Sequence, residues 1–222
     1  MLKESKLLNA PAAVPVILSP NFGLDFPVDL ELWHRSGSRI SFAIGEVCFT
    51  QFDAADADAL FEIRNHPTVI PFMPGAQAIP RHRHLDWVGS TLLATSKDTP
   101  LILLGRAAGR AVGFGILKPT AEAGVLEIGV IVAGEWQRKS LPPQLGGALI
   151  AVAAQLFGAH TLVSYVNMQH NHALRLNSGA GLVQAPTSGK PGEHHFRTPV
   201  ETLRSTQIYR RCTRGLRIAI TE

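Results

Sequence analysis

The residues best placed to do chemistry are Gln137-Arg138-Lys139-Ser140-Leu141, a polar and cationic bend between two apolar runs. Before it, residues 125–132 carry Val125, Leu126, Ile128, Val130, Ile131 and Val132 and read as a strand; after it, residues 142–157 read as an apolar helix. A helix that begins directly after a strand turns its unpaired N–H groups and positive dipole end toward the mouth of the sheet. With Arg138 and Lys139 just ahead of the helix, the bend has the chemistry of an anion site, and a diphosphate suits it. A second strand over 161–166 and a polar segment over 167–177 that opens another helix complete the order strand, cationic loop, helix, strand, helix.

Glu127 is the one acid in the first of these strands. Apolar neighbours would make its carboxylate a better proton acceptor, yet a lone acid in a half-exposed strand also fits the solvent side of the alternation. Both readings stay open at this level. His170 and Asn171 lie at a helix start, where such residues either cap the helix or hydrogen-bond a ligand or water. No metal centre is expected. The histidines of Arg81-His82-Arg83-His84 point to opposite sides of a helix beside two cations, and His170 with His172 lacks a third ligand.

The order of elements and several motifs resemble the GNAT superfamily of acyl-CoA-dependent N-acyltransferases. The family's loop pattern, Gln/Arg-x-x-Gly-x-Gly/Ala, falls on residues 137–142, which keep the leading Gln137 and replace both glycines, with Ser140 and Pro142. Val166-Asn167-Met168-Gln169-His170-Asn171-His172-Ala173-Leu174-Arg175-Leu176 is similar to the family's Val-Asn-Pro-Glu-Asn-x-x-Ser-x-Arg-Val, and Gly181-Leu182 stands where that segment ends in Gly-Phe. Residues 52–67 are similar to the first strand end and helix of the Rim-type branch, which acetylates protein N-termini and small amines.

The resemblance implies a mixed, mostly antiparallel α/β sheet with flanking helices. It implies transfer of acetyl from acetyl-CoA to a primary amine, on a protein N-terminus or small molecule, by direct attack. Glu127 takes the position of the base. Val130, Ile131 and Val132 form the strand edge that pairs with the pantetheine arm, and Gln137, Arg138, Lys139, Ser140 and Leu141 surround the diphosphate. His170 and Asn171 reach the pantetheine or a water on the proton path. The family's acid tyrosine corresponds to Asn177, so the acid is unassigned.

The departures have physical consequences. Ser140 keeps its N–H but resists the left-handed conformation by about 1–2 kcal/mol, and Pro142 has no N–H to donate. Arg138, Lys139 and the Ser140 hydroxyl compensate in part, so weakened cofactor binding is expected. The rival reading is a GNAT-fold binding or regulatory module that has lost turnover.

With 222 residues, the chain has room for one core and an appended arm, divided as an arm and hairpin strand over 1–40 and a GNAT-like domain over 41–222. A hydrophobic content of 45% against 17% charged residues excludes a disordered chain. The net charge of +4 raises nucleic acid as a partner, but the basic residues are scattered apart from Arg204, Arg210, Arg211, Arg214 and Arg217, which read as a solvated basic face. Cys48 and Cys212 lie far apart in sequence and carry no metal-ligand spacing, so a reduced, cytoplasmic protein is expected. No apolar run reaches the ~20 residues of a membrane span. A homodimer is left open.

Pattern reading predicts a hairpin from strands over 28–32 and 40–44, a strand over 45–52, and a helix capped by Asp53 with Ala57, Leu60, Phe61 and Ile63 inward. An apolar loop over 68–80, a helix over 82–95 and strands over 101–105 and 111–117 follow. Beyond Gly181 it predicts a turn over 187–192, a strand over 205–212 and a basic tail.

Overall fold

The computed structural model describes residues 16–18, 27–94, 96–186 and 191–221. Most of the expected arm and of the turn over 187–192 lies outside them. The strands are β1 (Val16–Leu18), β2 (Arg39–Ile44), β3 (Val47–Gln51), β4 (Leu101–Ala107), β5 (Arg110–Pro119), β6 (Val125–Val132), β7 (Thr161–Asn167), β8 (Glu193–Pro199) and β9 (Arg217–Thr221). They join one mixed sheet in the order β1-β9-β2-β3-β4-β5-β6-β7-β8. Only β1 with β9 and β6 with β7 run parallel; every other pair is antiparallel.

Turn chemistry sets the registers. Gly45, with φ 59, opens the two-residue turn between Ile44 and Val47, and Ala108 and Gly109, with φ 46 and 79, form the turn between Ala107 and Arg110. Positive φ at such positions matches the twist of the flanking strands. Both faces of the sheet are covered, which is why Leu101-Ile102-Leu103-Leu104 is an unbroken apolar run in which all four side chains are buried.

Helices α1 (Leu30–Ser36), α4 (Leu141–Gln155), α6 (Val200–Ser205) and α7 (Gln207–Cys212) contribute to the core on one face, around Trp33, Leu145, Leu149, Leu203 and Tyr209. On the other face α2 (Ala57–Arg64), α3 (Arg81–Trp87) and the turn that follows α3 lie over Ile102, Leu104 and Phe114, with Leu60, Ile63 and Val88 in the same buried cluster. Leu145 and Leu149 are fully buried, and each such side chain contributes about 1.5–3 kcal/mol. The crossover β6–α4–β7 supplies the expected parallel pair, and α5 (Asn171–Gly179) follows β7.

Two sequence expectations are corrected. Residues 28–32 do not form a hairpin strand: Asp29 caps α1, its carboxylate accepting from Leu32 N–H at 2.7 Å, and Gly37 ends the helix with φ 74. The alternation of Val28, Leu30 and Leu32 is a coincidence of three residues, since Leu32 is exposed while Leu30 and Trp33, three apart, are buried. Residues 205–212 are also not a strand. Thr206 stops α6 and caps α7, its hydroxyl accepting from Tyr209 N–H at 3.2 Å, and the strand of this region comes later, as β9. The helix expected over 82–95 begins at Arg81 and passes at Val88 into a π-helical turn that ends at Leu92.

Candidate active site

Strands β6 and β7 are hydrogen-bonded neighbours only at their beginnings. Val125, Leu126 and Glu127 pair with Thr161, Leu162 and Val163, and there the ladder stops. β6 runs on to Val132 and stays paired with β5 as far as Gly113, while β7 runs on to Asn167 and stays paired with β8 as far as Glu193. The two strands therefore part into a wedge that opens toward their carboxyl ends. Along it, the main chain of residues 128–132 keeps one edge without a strand partner, and an extended ligand with amide groups can add to such an edge.

The bend beyond the wedge is a 3-10 turn, Gly134–Arg138, followed by α4. Arg138 is exposed and makes no ion pair among the described residues. Lys139 holds its Nζ 3.6 Å from the centre of the Trp136 ring and 3.8 Å from Glu46 Oε1. Ser140 precedes the first turn, its hydroxyl accepting from Gln144 Nε2 at 3.0 Å. Leu141 is buried and anchors the helix start. Pro143 follows Pro142, so two successive positions of this turn offer no N–H. The N–H groups of Ser140 and Leu141 remain, and neither has a partner among the described residues. These residues fit a pantetheine arm along 128–132 and fit a diphosphate only in part.

Gln137 turns inward. Its Nε2 donates to Val132 O at 2.8 Å and to the carbonyl and hydroxyl oxygens of Thr68, both at 3.1 Å. The Thr68 hydroxyl also accepts from Gly134 N–H at 2.9 Å and lies 2.9 Å from His66 Nδ1. Because Thr68 N–H donates to the same His66 nitrogen, that nitrogen is an acceptor and the hydroxyl hydrogen points to it. The connection after α2 is thus tied to the end of β6.

Four residues on, Phe72 stacks on His170 with ring centres 3.7 Å apart. His170 caps α5, its Nδ1 accepting from Ala173 N–H at 3.4 Å, and burial, with His172 nearby, lowers its pKa below the ordinary histidine range. Asn171, the first residue of α5, is exposed. Residues 66–72 therefore reach from the β6 side of the wedge to the β7 side. The sequence reading ends the helix at Pro67 and gives 68–80 as an apolar loop of the sort that lines a substrate entrance, but it assigns no contact to His66 or Thr68, which carry no periodic signal.

Glu127 sits at the apex, on the last rung before the strands part. It is directly opposite Lys118 on β5 and Val163 on β7, and Lys118 Nζ lies 3.5 Å from its Oε2. Directly opposite residues share a face, so Glu127 shares one with Val163 and Arg197, and with Tyr165 and His195 beyond them. The Tyr165 and His195 rings stack with centres 4.8 Å apart. Gly129 and Ile131 of β6 lie on this face too, as the alternation requires. The Glu127 side chain keeps 27% of its exposure, so it is neither sealed in the core nor a free surface acid.

A family model described as an acetyltransferase (GNAT) domain matches residues 46–183. The chain belongs to the GNAT acetyltransferase family. Solved structures share this GNAT fold at low identity. Spermidine N-acetyltransferase from Vibrio cholerae, in complex with CoA and spermine, superposes with a TM-score of 0.59 at 12% identity, over 72% of this chain and 99% of that one. Ribosomal-protein-alanine N-acetyltransferase from Brucella melitensis gives 0.55 at 16% identity, over 68% and 98%. The Salmonella typhimurium protein yncA, with its cofactor acetyl-CoA, gives 0.54 at 19% identity, over 70% and 94%. A search of curated proteins finds no match.

Within this GNAT domain the predicted site residues fall along both sides of the wedge and at the bend beyond it. Glu127, Val130, Ile131 and Val132 line or flank one side of the wedge, and Arg138, Lys139, Ser140 and Leu141 form the bend at its end. His170 and Asn171 stand beyond the end of β7 on the opposite side. Gln137 alone has its side-chain nitrogen engaged beneath the bend.

Proposed function

We propose that this GNAT domain transfers an acyl group, acetyl in the simplest case, from acetyl-CoA to a primary amine on a small molecule or a protein N-terminus, in the manner of the Rim-type branch. The observation that carries this reading is the parting of β6 from β7 immediately after Glu127. A thioester in the wedge supplies the activated carbonyl. Main-chain N–H groups of residues 128–132 orient the arm and can polarise that carbonyl. Glu127 takes the proton from the incoming ammonium, directly or through a water, so that the neutral nitrogen attacks. Charged donors at Arg138 and Lys139, with the Ser140 hydroxyl and the N–H groups of Ser140 and Leu141, hold the diphosphate. His170 and Asn171 contact the far side of the arm. The spermidine and ribosomal-protein acetyltransferases that share the fold support an amine acceptor.

Pro142 and Pro143 favour a second reading, a GNAT-fold binding or regulatory module without turnover. Two measurements separate them. A thermal-shift titration with acetyl-CoA should stabilise the fold by about 2.7 kcal/mol at a hundred times the dissociation constant. Release of free CoA with a panel of primary amines should then accompany binding. Binding without release supports the module, and so does the absence of any shift at millimolar acetyl-CoA, which removes the transferase reading.

A further inference from the structure

The end of the sheet at which the wedge opens carries more positive charge than a diphosphate calls for. The β4–β5 turn at Arg110, the β2–β3 turn at Glu46, the bend at 134–140 and the start of β9 at Arg217 all lie at this end, as the pairs Ala107–Arg110, Ile44–Val47, Gly113–Val132 and Phe42–Ile218 require. Arg110, Arg138, Arg214 and Arg217 are exposed, and none has an ion-pair partner among the described residues. Arg211, in the last turn of α7, is likewise exposed and unpaired among them. It precedes Cys212 and Thr213, which leave little room for a side chain at Gly147 in the second turn of α4. Glu46 and Glu135 are the exposed acids of the neighbouring turns, and Glu46 already lies near Lys139.

The spread of this rim matters. From β5 to β9 the sheet crosses four strand spacings of about 4.8 Å, so the cations extend over roughly 19 Å. The diphosphate and 3′-phosphate of one coenzyme A meet only a part of that row, whereas a protein partner covers about 800 Å² of surface. At the same bend Pro142 and Pro143 remove two main-chain donors suited to a diphosphate, while the wedge that would take the arm is intact. The chain thus keeps its fit to the pantetheine, offers only part of the fit a diphosphate needs, and carries a row of cations from the bend across to β9 at the same end of the sheet.

Resting on the acyl-transfer reading above, we propose that the wedge also takes its thioester from an acidic carrier protein, whose phosphopantetheine arm enters between β6 and β7 while the carrier docks on the arginine rim. The reaction balances as with the free donor. The amine nitrogen forms a bond to the acyl carbon, the bond from that carbon to the arm's sulfur breaks, and the proton lost by the amine is returned to the thiolate, leaving an amide and a carrier with a free thiol.

The test uses the full chain and a fluorescently labelled acidic acyl carrier protein, prepared with and without its phosphopantetheine arm. Anisotropy titration at low salt should show the armed carrier binding at least tenfold more tightly than the armless one, with affinity falling at least tenfold when salt rises to about 0.3 M, where the screening length shrinks. The double variant Arg214→Glu and Arg217→Glu should weaken carrier binding at least tenfold and leave the thermal shift given by acetyl-CoA unchanged. Equal binding of armed and armless carriers, or loss of carrier and acetyl-CoA binding together in the variant, overturns the proposal. So does an undetectable carrier when acetyl-CoA binds and turns over, in which case the acyl-transfer reading survives alone; if neither donor binds, both fall.

Discussion

Gln137 donates to the main-chain carbonyl of Val132 over 2.8 Å, and the same nitrogen meets both oxygens of Thr68. The end of β6, the bend and the connection after α2 therefore form one hydrogen-bonded unit. Gln137→Ala takes this donor from the carbonyls of Val132 and Thr68, at a cost of about 1–3 kcal/mol, while the Thr68 hydroxyl keeps Gly134 N–H. The expected result is a lower urea midpoint and weaker acetyl-CoA binding. Thr68→Val should give a similar loss, and the two should be non-additive in a double-mutant cycle. Strict additivity would show that the bonds do not act as a unit.

Glu127→Gln keeps the size of the side chain and removes its capacity to take a proton. Turnover with any accepted amine should drop by about 10²–10⁴, while the thermal shift given by acetyl-CoA persists. A rate within a factor of two of the parent would remove Glu127 from the base role and leave it as the partner of Lys118.

Pro142→Ala restores an N–H to the first turn of α4. A hydrogen bond from that group to a charged phosphate oxygen is worth about 1.5–3 kcal/mol, so acetyl-CoA should bind about tenfold more tightly or better. Replacing proline loosens the unfolded chain by about 0.4–1 kcal/mol, and the ligand-free protein should melt slightly lower. Calorimetric titration of parent and variant separates the two effects. Unchanged affinity would mean that the diphosphate does not sit over this turn.

His84, His34 and His170 all have pKa values below the ordinary histidine range, and in each the first cause is burial, which disfavours the imidazolium. His84 shows the geometry best. Its Nε2 donates to Ala57 O at 2.8 Å, and its Nδ1 accepts from Arg64 at 3.2 Å, so a second ring proton would face a guanidinium. The unfolded chain takes up these protons near pH ~6.5 and the folded chain only at lower pH. Below that value the unfolded state binds more protons, and stability falls as pH drops. The urea midpoint should decline between pH 7 and pH 5 by an amount that shrinks in His84→Gln, even though that variant starts less stable. An equal slope in both proteins would assign the acid sensitivity to other groups.

Much of the fold is legible in the sequence where periodicity and caps agree. Ile40, Phe42 and Ile44 alternate and form β2, and Asp53 accepts from Ala55 N–H to start the turn that leads into α2. The two misread elements share one feature: each is a short helix fixed by a local cap, Asp29 for α1 and Thr206 for α7, and over 28–32 three alternating residues carry too little information to separate a strand from such a helix. The wedge itself cannot be read from residue types, because Val130, Ile131 and Val132 look like any buried strand and the missing partner is a property of β7. The ties made by Thr68 and the stack of Phe72 on His170 join residues about a hundred or fewer positions apart, with no spacing rule to mark them.

Strand β9 lies between β1 and β2, so that Ile218 faces Phe42 on one side and Ile17 pairs with it on the other. The inner strands can assemble from near neighbours in the chain, but this border waits for partners some two hundred residues apart. Such distant closures slow folding, and until the last strand arrives β2 offers a bare ladder to any passing chain. Cutting the chain before Arg217 should accordingly harm recovery from the unfolded state and promote clumping well before it disturbs the wedge between β6 and β7, since β6 lies five strands away.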